Sequence, residues 1–440
     1  MSGGLPVKTL IRDGAILTME GPAPELIFGD LGIEDSTIAF VGAKPDSFKP
    51  DRELDASGSI VMPGLIDAHT HIAMSLMRHY ADDLPFWNWL FERIIPLEGK
   101  LTDRYVYDGS MLSLVEMIRS GITCFADMYF NMNAVAQATL ESGLRANLSR
   151  GLSYDGPSSL SKLDDTRAFH AQWQGRGEGR IRVDVGPHAI YTCPPDFLKK
   201  AVDLAGELDA RIHMHLSESR KEVADCRAEH GKSPIALVRD LGLFSRKTYA
   251  AHCVHLDDED IAILKEHGVA VINNPASNLK LGNGFAPVGK LLAAGVCLGL
   301  GTDGSASNNN LNMFEEMNLA ALVNKGLSED PTAVSAYTAL RMATIGGARA
   351  LGLEAITGSI KVGKKADLIL VDAQAPHFFP RNSVCAALVY AAQASDVKTV
   401  FCDGELLMAD RRLVSLDEGR ICARAQESAA AMTGNGRFLP

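Results

Sequence analysis

The chain has 440 residues, 46% hydrophobic and 22% charged, with a formal net charge of -11 at pH 7. That balance excludes a disordered chain and argues against nucleic acid as a partner, because phosphate binding needs clustered Lys and Arg. No apolar run approaches the ~18 residues that cross a bilayer. The opening MSGGLPVKTLIRDG also lacks the basic and apolar regions of a secretory signal. A cytoplasmic protein that handles a small molecule and has no membrane partner is expected. Eight cysteines without a C-x-x-C pair read as reduced thiols.

From Leu5 to Val61, short apolar and β-branched runs alternate with Asp-Gly, Gly-Asp and Ser-Gly turns, the pattern of antiparallel β-structure. After Pro63 the rhythm changes. Candidate strands are Leu65 to Ile72, Ile122 to Asp127, Arg145 to Leu152, Ile181 to His188, Arg211 to Leu216, Thr248 to Val254, Val269 to Asn273 and Val296 to Thr302. Between them lie segments with helical apolar spacing, among them Asp103 to Ser120, Asn133 to Ser142, Pro195 to Leu208 and Ser233 to Leu241. Strand-helix alternation predicts an α/β fold with a parallel sheet, and the number of repeats predicts a closed (β/α)8 TIM barrel. A doubly wound open sheet is the other option, but no G-x-G-x-x-G follows the first strand.

Helical patterns continue from Leu311 to Leu351, and β texture returns in GSIKVGKKADLILVD and KTVFCDGELLMAD. Exposed strand edges need pairing or cover, so the two ends are expected to combine. The expected division is residues 1–62 and 358–415 as the two parts of a small β-sandwich domain, 63–357 as the barrel, and 416–440 as a helical extension.

Active sites of α/β barrels sit at the C-terminal ends of the strands. The first strand ends in His69 and His71, two apart and therefore on one face. The fourth ends at His188, the fifth holds His213 and His215 followed by Glu218, the sixth runs into His252 and His255, and the eighth ends in Asp303. Each residue alone is more often a satisfied polar group than a ligand. Together they point to a metal, since the remaining histidines, His79, His170, His230, His267 and His377, fall in helical or loop contexts. Nitrogen and oxygen donors without Cys suit Zn²⁺ or Fe²⁺, and three His with one Asp leave a position open for water. Such an ion lowers the pKa of water from about 15.7 towards 7, which makes hydrolysis the natural chemistry. No Lys between Lys100 and Lys162 is available to bridge two ions, so a single one is expected.

The ordered set of H-T-H on the first strand, H-x-x-E after the fifth, HC after the sixth and G-T-D after the eighth resembles the amidohydrolase superfamily, in its mononuclear deaminase and chlorohydrolase branch, over nearly the whole chain. The resemblance implies His69, His71, His215 and Asp303 as ligands of one divalent ion, Zn²⁺ or else Fe²⁺, and leaves His213 structural. It makes Glu218 the group that shuttles a proton to a ring nitrogen. His252 would orient the metal-bound water and Asp303 take its proton. The lesser alternative for Glu218 is a carboxylate at a helix start.

Within that branch, HYADDLPFWNWLFERIIPLEGKLT, SRGLSYDG, GPHAIYTC, NNPASNLKLGNGFAPV and GTDGSASNNNLNMF are similar to the 5′-methylthioadenosine/S-adenosylhomocysteine deaminase family. The implied activity is hydrolytic deamination of the adenine ring of methylthioadenosine, S-adenosylhomocysteine or adenosine, by a metal-activated hydroxide, to the inosine analogue and ammonia. Residue by residue, Trp89 packs on the thioether side, Glu98 accepts from both ribose hydroxyls, and Arg150 faces the amino-acid carboxylate. His188 lies near the ribose or purine, and Ser307 contacts substrate. Without the resemblance, Trp89 and Glu98 read as a core aromatic and a surface acid.

One departure concerns the second family arginine, for which this chain offers Lys162, or Arg167 a little further on. Lysine lacks the bidentate grip on a carboxylate. Two other readings remain open on the same scaffold: a deaminase of a free aminopurine such as guanine, or a triazine (chloro)hydrolase. A non-enzymatic barrel is a third, disfavoured by the complete ligand set. Related proteins often assemble, so a homo-oligomer is expected on resemblance alone.

Overall fold

Only Gly64 separates the last residue of one sheet, Pro63, from the first residue of another, Leu65. A Cβ on Gly64 would fall 2.0 Å from Thr123 Oγ1, so the chain passes between the sheets there only as glycine. The structure, a computed structural model, describes residues 7–434.

The second sheet is a parallel barrel built from Leu65–His71, Ile122–Tyr129, Arg145–Leu152, Ile181–Pro187, Ile212–Leu216, Thr248–His252, Ala270–Asn273 and Cys297–Leu300. The eighth strand breaks at Gly301 and Thr302 and resumes as Asp303–Gly304, which pairs in parallel with Thr70 and His71 of the first strand. That pairing closes the barrel. Asp67 spans the break, accepting from Thr302 N at 2.9 Å and Thr302 Oγ1 at 2.5 Å. Gly301 is demanded by its surroundings, because a Cβ there would meet His69 O at 2.7 Å and Asn274 Oδ1 at 2.5 Å.

The first sheet takes strands from both ends of the chain. Lys8–Leu17, Leu26–Glu34, Thr37–Gly42, Arg52–Asp55 and Ser59–Pro63 join Leu368–Asp372, Val397–Cys402, Glu405–Ala409 and Arg412–Leu413. The two groups meet where Ser59–Pro63 pairs antiparallel with Leu368–Asp372. This sheet has an apolar cluster of its own, including Ile11, Ile16, Leu31, Val61, Leu370 and Phe401. It is tied to the barrel by buried Arg145, whose guanidinium bonds Asp367 at 2.9 and 3.2 Å and Asp403 at 3.2 Å.

The helix Asp103–Ser120 has the bounds that its apolar spacing predicts, with Thr102 capping Tyr105 N and Gly121 leaving it at φ 86°. Against it packs the helix Glu418–Thr433, through Ser428 and Arg424 on Asp108. Residues 1–6 and 435–440 of the expected terminal segments lie outside the described residues. No described helix is long and apolar enough to cross a membrane.

A covering segment follows the first barrel strand. It runs through Phe86–Asn88 into a widened π-helical turn, Trp89–Ile94, and ends at Ile95–Glu98; such turns often occur at functional sites. Lys280 holds its approach, reaching Asp82 Oδ1 at 2.6 Å, Asn309 Oδ1 at 2.9 Å and Ala306 O at 3.2 Å.

Candidate active site

The barrel strands deliver their polar ends to one point. Asp303 Oδ1 lies 3.1 Å from His71 Nε2 and 3.3 Å from His69 Nε2, and His215 Nε2 lies 3.3 Å from His71 Nε2. Donor atoms of His69, His215, His252 and Asp303 all fall within 4.8 Å of one another. Five donors therefore converge. Left-handed backbone at Ser217, His252, Cys253 and Asp303 turns these side chains off the strand ends, a conformation of the kind that concentrates at functional sites.

The hydrogen-bond network fixes which imidazole nitrogens carry protons. Ser149 Oγ donates to Asp127 O, so it accepts from His213 Nδ1 at 3.1 Å; His213 Nε2 then accepts from His69 Nδ1 at 2.7 Å. His69 Nε2 is left with a lone pair, buried and without a hydrogen-bond partner. His71 Nδ1 donates to Met128 O at 2.5 Å and His215 Nδ1 to His188 O at 2.9 Å, which turns both Nε2 atoms to the cluster. Three imidazoles, each oriented by a partner on its far nitrogen, and one carboxylate form a donor set that fits a divalent metal ion, which would displace the proton His71 Nε2 shares with Asp303.

Electrostatics follow from burial. It holds His69 down to about 3 and also opposes charge on His71, where the Asp303 hydrogen bond wins and carries the imidazole up to about 9. Asp303 itself is disfavoured as an anion by burial, yet His69 and His71 hold it well below the usual carboxylate range. The carboxylate is pinned further by Ser277 Oγ at 2.6 Å and Ser307 Oγ at 2.8 Å, both on Oδ2. Glu218 is pushed well above that range by burial, reinforced by the charges of Asp303 and Glu222. Asn283 Nδ2 donates to Glu218 Oε1 at 2.9 Å, and His252 Nε2 lies 3.8 Å from Oε2. His252 Nδ1 sits 2.9 Å from Asn278 Oδ1. His255 secures the Asn283 loop by bonding Asn283 O at 2.7 Å.

Beside this cluster opens a cavity of about 380 Å³, lined by His71, His188, His215, Glu218, His252 and Asp303, with Trp89 and Glu98 from the covering segment. Phe86, Leu90, Met74, Phe130, Tyr154 and Tyr191 supply much of the remaining wall. Glu98 is raised by burial, opposed by the Tyr129 hydroxyl and His71. His188 bonds Thr192 Oγ1 at 2.9 Å through Nδ1.

Two of the residues assigned to substrate by resemblance are not brought to the cavity wall. Ser307 is spent on Asp303 Oδ2 and Gly304 O. Arg150 bonds Asp165 Oδ2 at 3.0 Å and lines a different depression, with Asp103, Asn131 and Phe169. The reason is strand alternation: Ser149 and Gly151 face inward, so Arg150 faces out. Neither replacement for the second arginine lines the cavity. Lys162 bonds Ser153 O at 2.8 Å, and Arg167 pairs with Glu207 and Asp164.

Residues 60–407 match the model of the amidohydrolase family. The chain belongs to the amidohydrolase family. Among curated relatives, a 5-methylthioadenosine/S-adenosylhomocysteine deaminase of Thermoanaerobacter pseudethanolicus is 48% identical over 425 residues, 96% of this chain and 99% of that protein. A protein of the same name from Moorella thermoacetica is 49% identical, covering 95% of this chain and 98% of its own. Among solved structures, an adenosine deaminase from Xanthomonas campestris with bound zinc superposes with a TM-score of 0.93 at 36% identity, covering 98% of this chain and 100% of that one. Atrazine chlorohydrolase from Arthrobacter aurescens, complexed with zinc, shares the amidohydrolase fold at a TM-score of 0.90 and 24% identity, over 96% and 100% of the two chains.

Proposed function

We propose that this amidohydrolase deaminates the adenine ring of 5′-methylthioadenosine, S-adenosylhomocysteine or adenosine, giving the inosine analogue and ammonia. The observation that carries the reading is one cavity holding a metal-competent donor set, a buried carboxyl group, Glu218, raised well above its usual range, and a further carboxylate at its covering wall. The names of the relatives at 48 and 49% identity support the same substrate class.

In this reading His69, His71, His215 and Asp303 hold one divalent ion, Zn²⁺ in preference to Fe²⁺. His252 is left outside that set because its Nε2 faces Glu218, the acid-base group. The ion supplies Lewis acidity that brings the pKa of water from about 15.7 towards 7. Glu218 delivers a proton to ring nitrogen N1 while water adds at C6, and His252 orients that water. Asp303 receives the proton that the water loses. Asp303 passes that proton to the amino group, the hydroxyl left on C6 gives its proton back to Glu218, the C6–N bond breaks and ammonia departs, so substrate plus water equals inosine analogue plus ammonia. Glu98 accepts from the ribose hydroxyls, and Trp89 with Phe86 and Leu90 forms an apolar bed for the 5′ group.

The test is incubation of metal-loaded protein with the three nucleosides, following the absorbance change from adenine to hypoxanthine and the release of ammonia. Turnover of at least one is expected. No ammonia from any of them removes the proposal.

A further inference from the structure

We infer that the cavity selects adenine nucleosides whose 5′ group is short and uncharged, and discriminates against the α-carboxylate of S-adenosylhomocysteine. The inference rests on the deaminase reading above and narrows its substrate class.

Among the described residues no lysine or arginine lines the cavity, whereas Glu98, Asp155, Glu218 and Asp303 all do. The three cations that the sequence offers for such a carboxylate are engaged elsewhere. Arg150 is drawn outward onto Asp165, and Arg167 is clamped by Glu207 through three bonds of 2.8 to 3.0 Å. Lys162 points its ammonium at Ser153, bonding O at 2.8 Å and Oγ at 3.2 Å, with Asp155 Oδ1 at 3.6 Å. That ammonium braces the Ser153–Asp155 stretch, whose three residues form part of the cavity wall.

A carboxylate entering this space therefore meets Asp155 and finds no guanidinium to pair with, and an unpaired charge in a partly desolvated site is strongly disfavoured. A thioether methyl or a plain hydroxyl carries no such penalty. The wall made by Trp89, Phe86, Leu90 and Met74 offers apolar and polarisable contact to a methylthio group.

The experiment compares kcat/KM for adenosine, methylthioadenosine, S-adenosylhomocysteine and the carboxyl methyl ester of the last, on the metal-loaded enzyme. Methylthioadenosine is expected to exceed S-adenosylhomocysteine by at least about 10-fold, and the ester to recover at least about fivefold of that deficit. Arg150→Gln should leave the ratio of the two natural nucleosides within about twofold of the wild-type value. Equal turnover of methylthioadenosine and S-adenosylhomocysteine overturns the inference, as does an ester as poor as the free acid, which would make size the discriminant. So does an Arg150→Gln enzyme that loses S-adenosylhomocysteine turnover while keeping that of methylthioadenosine. Failure of all four compounds is a different result, because it removes the deaminase reading itself.

Discussion

Asn283 Nδ2 donates to Glu218 Oε1 at 2.9 Å across 65 positions of sequence, and it is the hydrogen bond that fixes the side chain of the proposed proton carrier. Removing it leaves Glu218 free to turn from the cavity. Hydrogen bonds to ionisable groups contribute about 1.5–3 kcal/mol, so Asn283→Ala should lower kcat for the best nucleoside by about 10- to 100-fold. Metal content should stay unchanged, and steady-state kinetics alongside elemental analysis would check both. A variant with normal kcat shows that Glu218 needs no such tether.

Glu98 lines the cavity at the end of the covering segment, and a carboxylate offers acceptors only, as a vicinal diol requires. Glu98→Gln should cost about 100-fold in kcat/KM on adenosine, through loss of charge-assisted bonds. Turnover of a ribose-free aminopurine should change little. Equal losses on both would take the ribose away from Glu98 and revive a free-base deaminase.

Buried Glu222 accepts from Ser217 N at 3.0 Å and Glu218 N at 2.7 Å, and burial pushes its carboxyl up to about 7. A carboxyl raised on folding adds stability that is complete below its unfolded pKa, about 4.3, and is lost as pH rises through 7. The loss is on the order of 3 kcal/mol for a shift of this size. Thermal melts of metal-loaded protein at pH 5.5 and 8.5 should show a smaller drop in Tm for Glu222→Gln than for wild type. Parallel drops would dismiss Glu222 as a source of the pH dependence.

Arg145 joins the barrel to the terminal sheet through Asp367 and Asp403, all three almost fully buried. Arg145→Met leaves buried Asp367 without its cation, while Asp403 keeps Lys365 at 3.0 Å; breaking the buried pair costs about 3–5 kcal/mol. Tm should fall by several degrees while kcat of the folded enzyme at 25 °C holds. A loss of kcat at unchanged Tm would mean that the sheet junction reaches the active site.

The cluster was legible in the sequence because two rules met: side chains alternate along a strand, and barrel sites gather at strand ends. They bring out His69, His71, His213, His215 and Asp303 together; the choice of His215 over His213 as a ligand came from the resemblance, since the two share one face of their strand. What stayed hidden acts through space. Ser277 reaches Asp303 from 26 residues away, and Asp67 closes the eighth strand from 235 residues away; nothing near either residue announces the partner. The helix Arg220–His230 buries only Glu222 and Cys226, so it offers no apolar period to read. Arg150 shows the opposite failing. The parity that paired His69 with His71 also turns Arg150 away from Ser149 and Gly151, and the residue assignment by resemblance overrode it.

The antiparallel pairing of Ser59–Pro63 with Leu368–Asp372 imposes an order on biosynthesis. At roughly 5–20 residues per second, the ribosome needs tens of seconds to add the intervening stretch of about 300 residues. During that time SIVMP, buried throughout in the finished protein, has Lys8–Leu17 on one side and an open edge on the other. An apolar open edge invites association with other nascent chains. The strand that leads directly into His69 and His71 is thus among the last to be secured, and yield on expression should respond to chaperone supply more than stability of the folded enzyme would suggest.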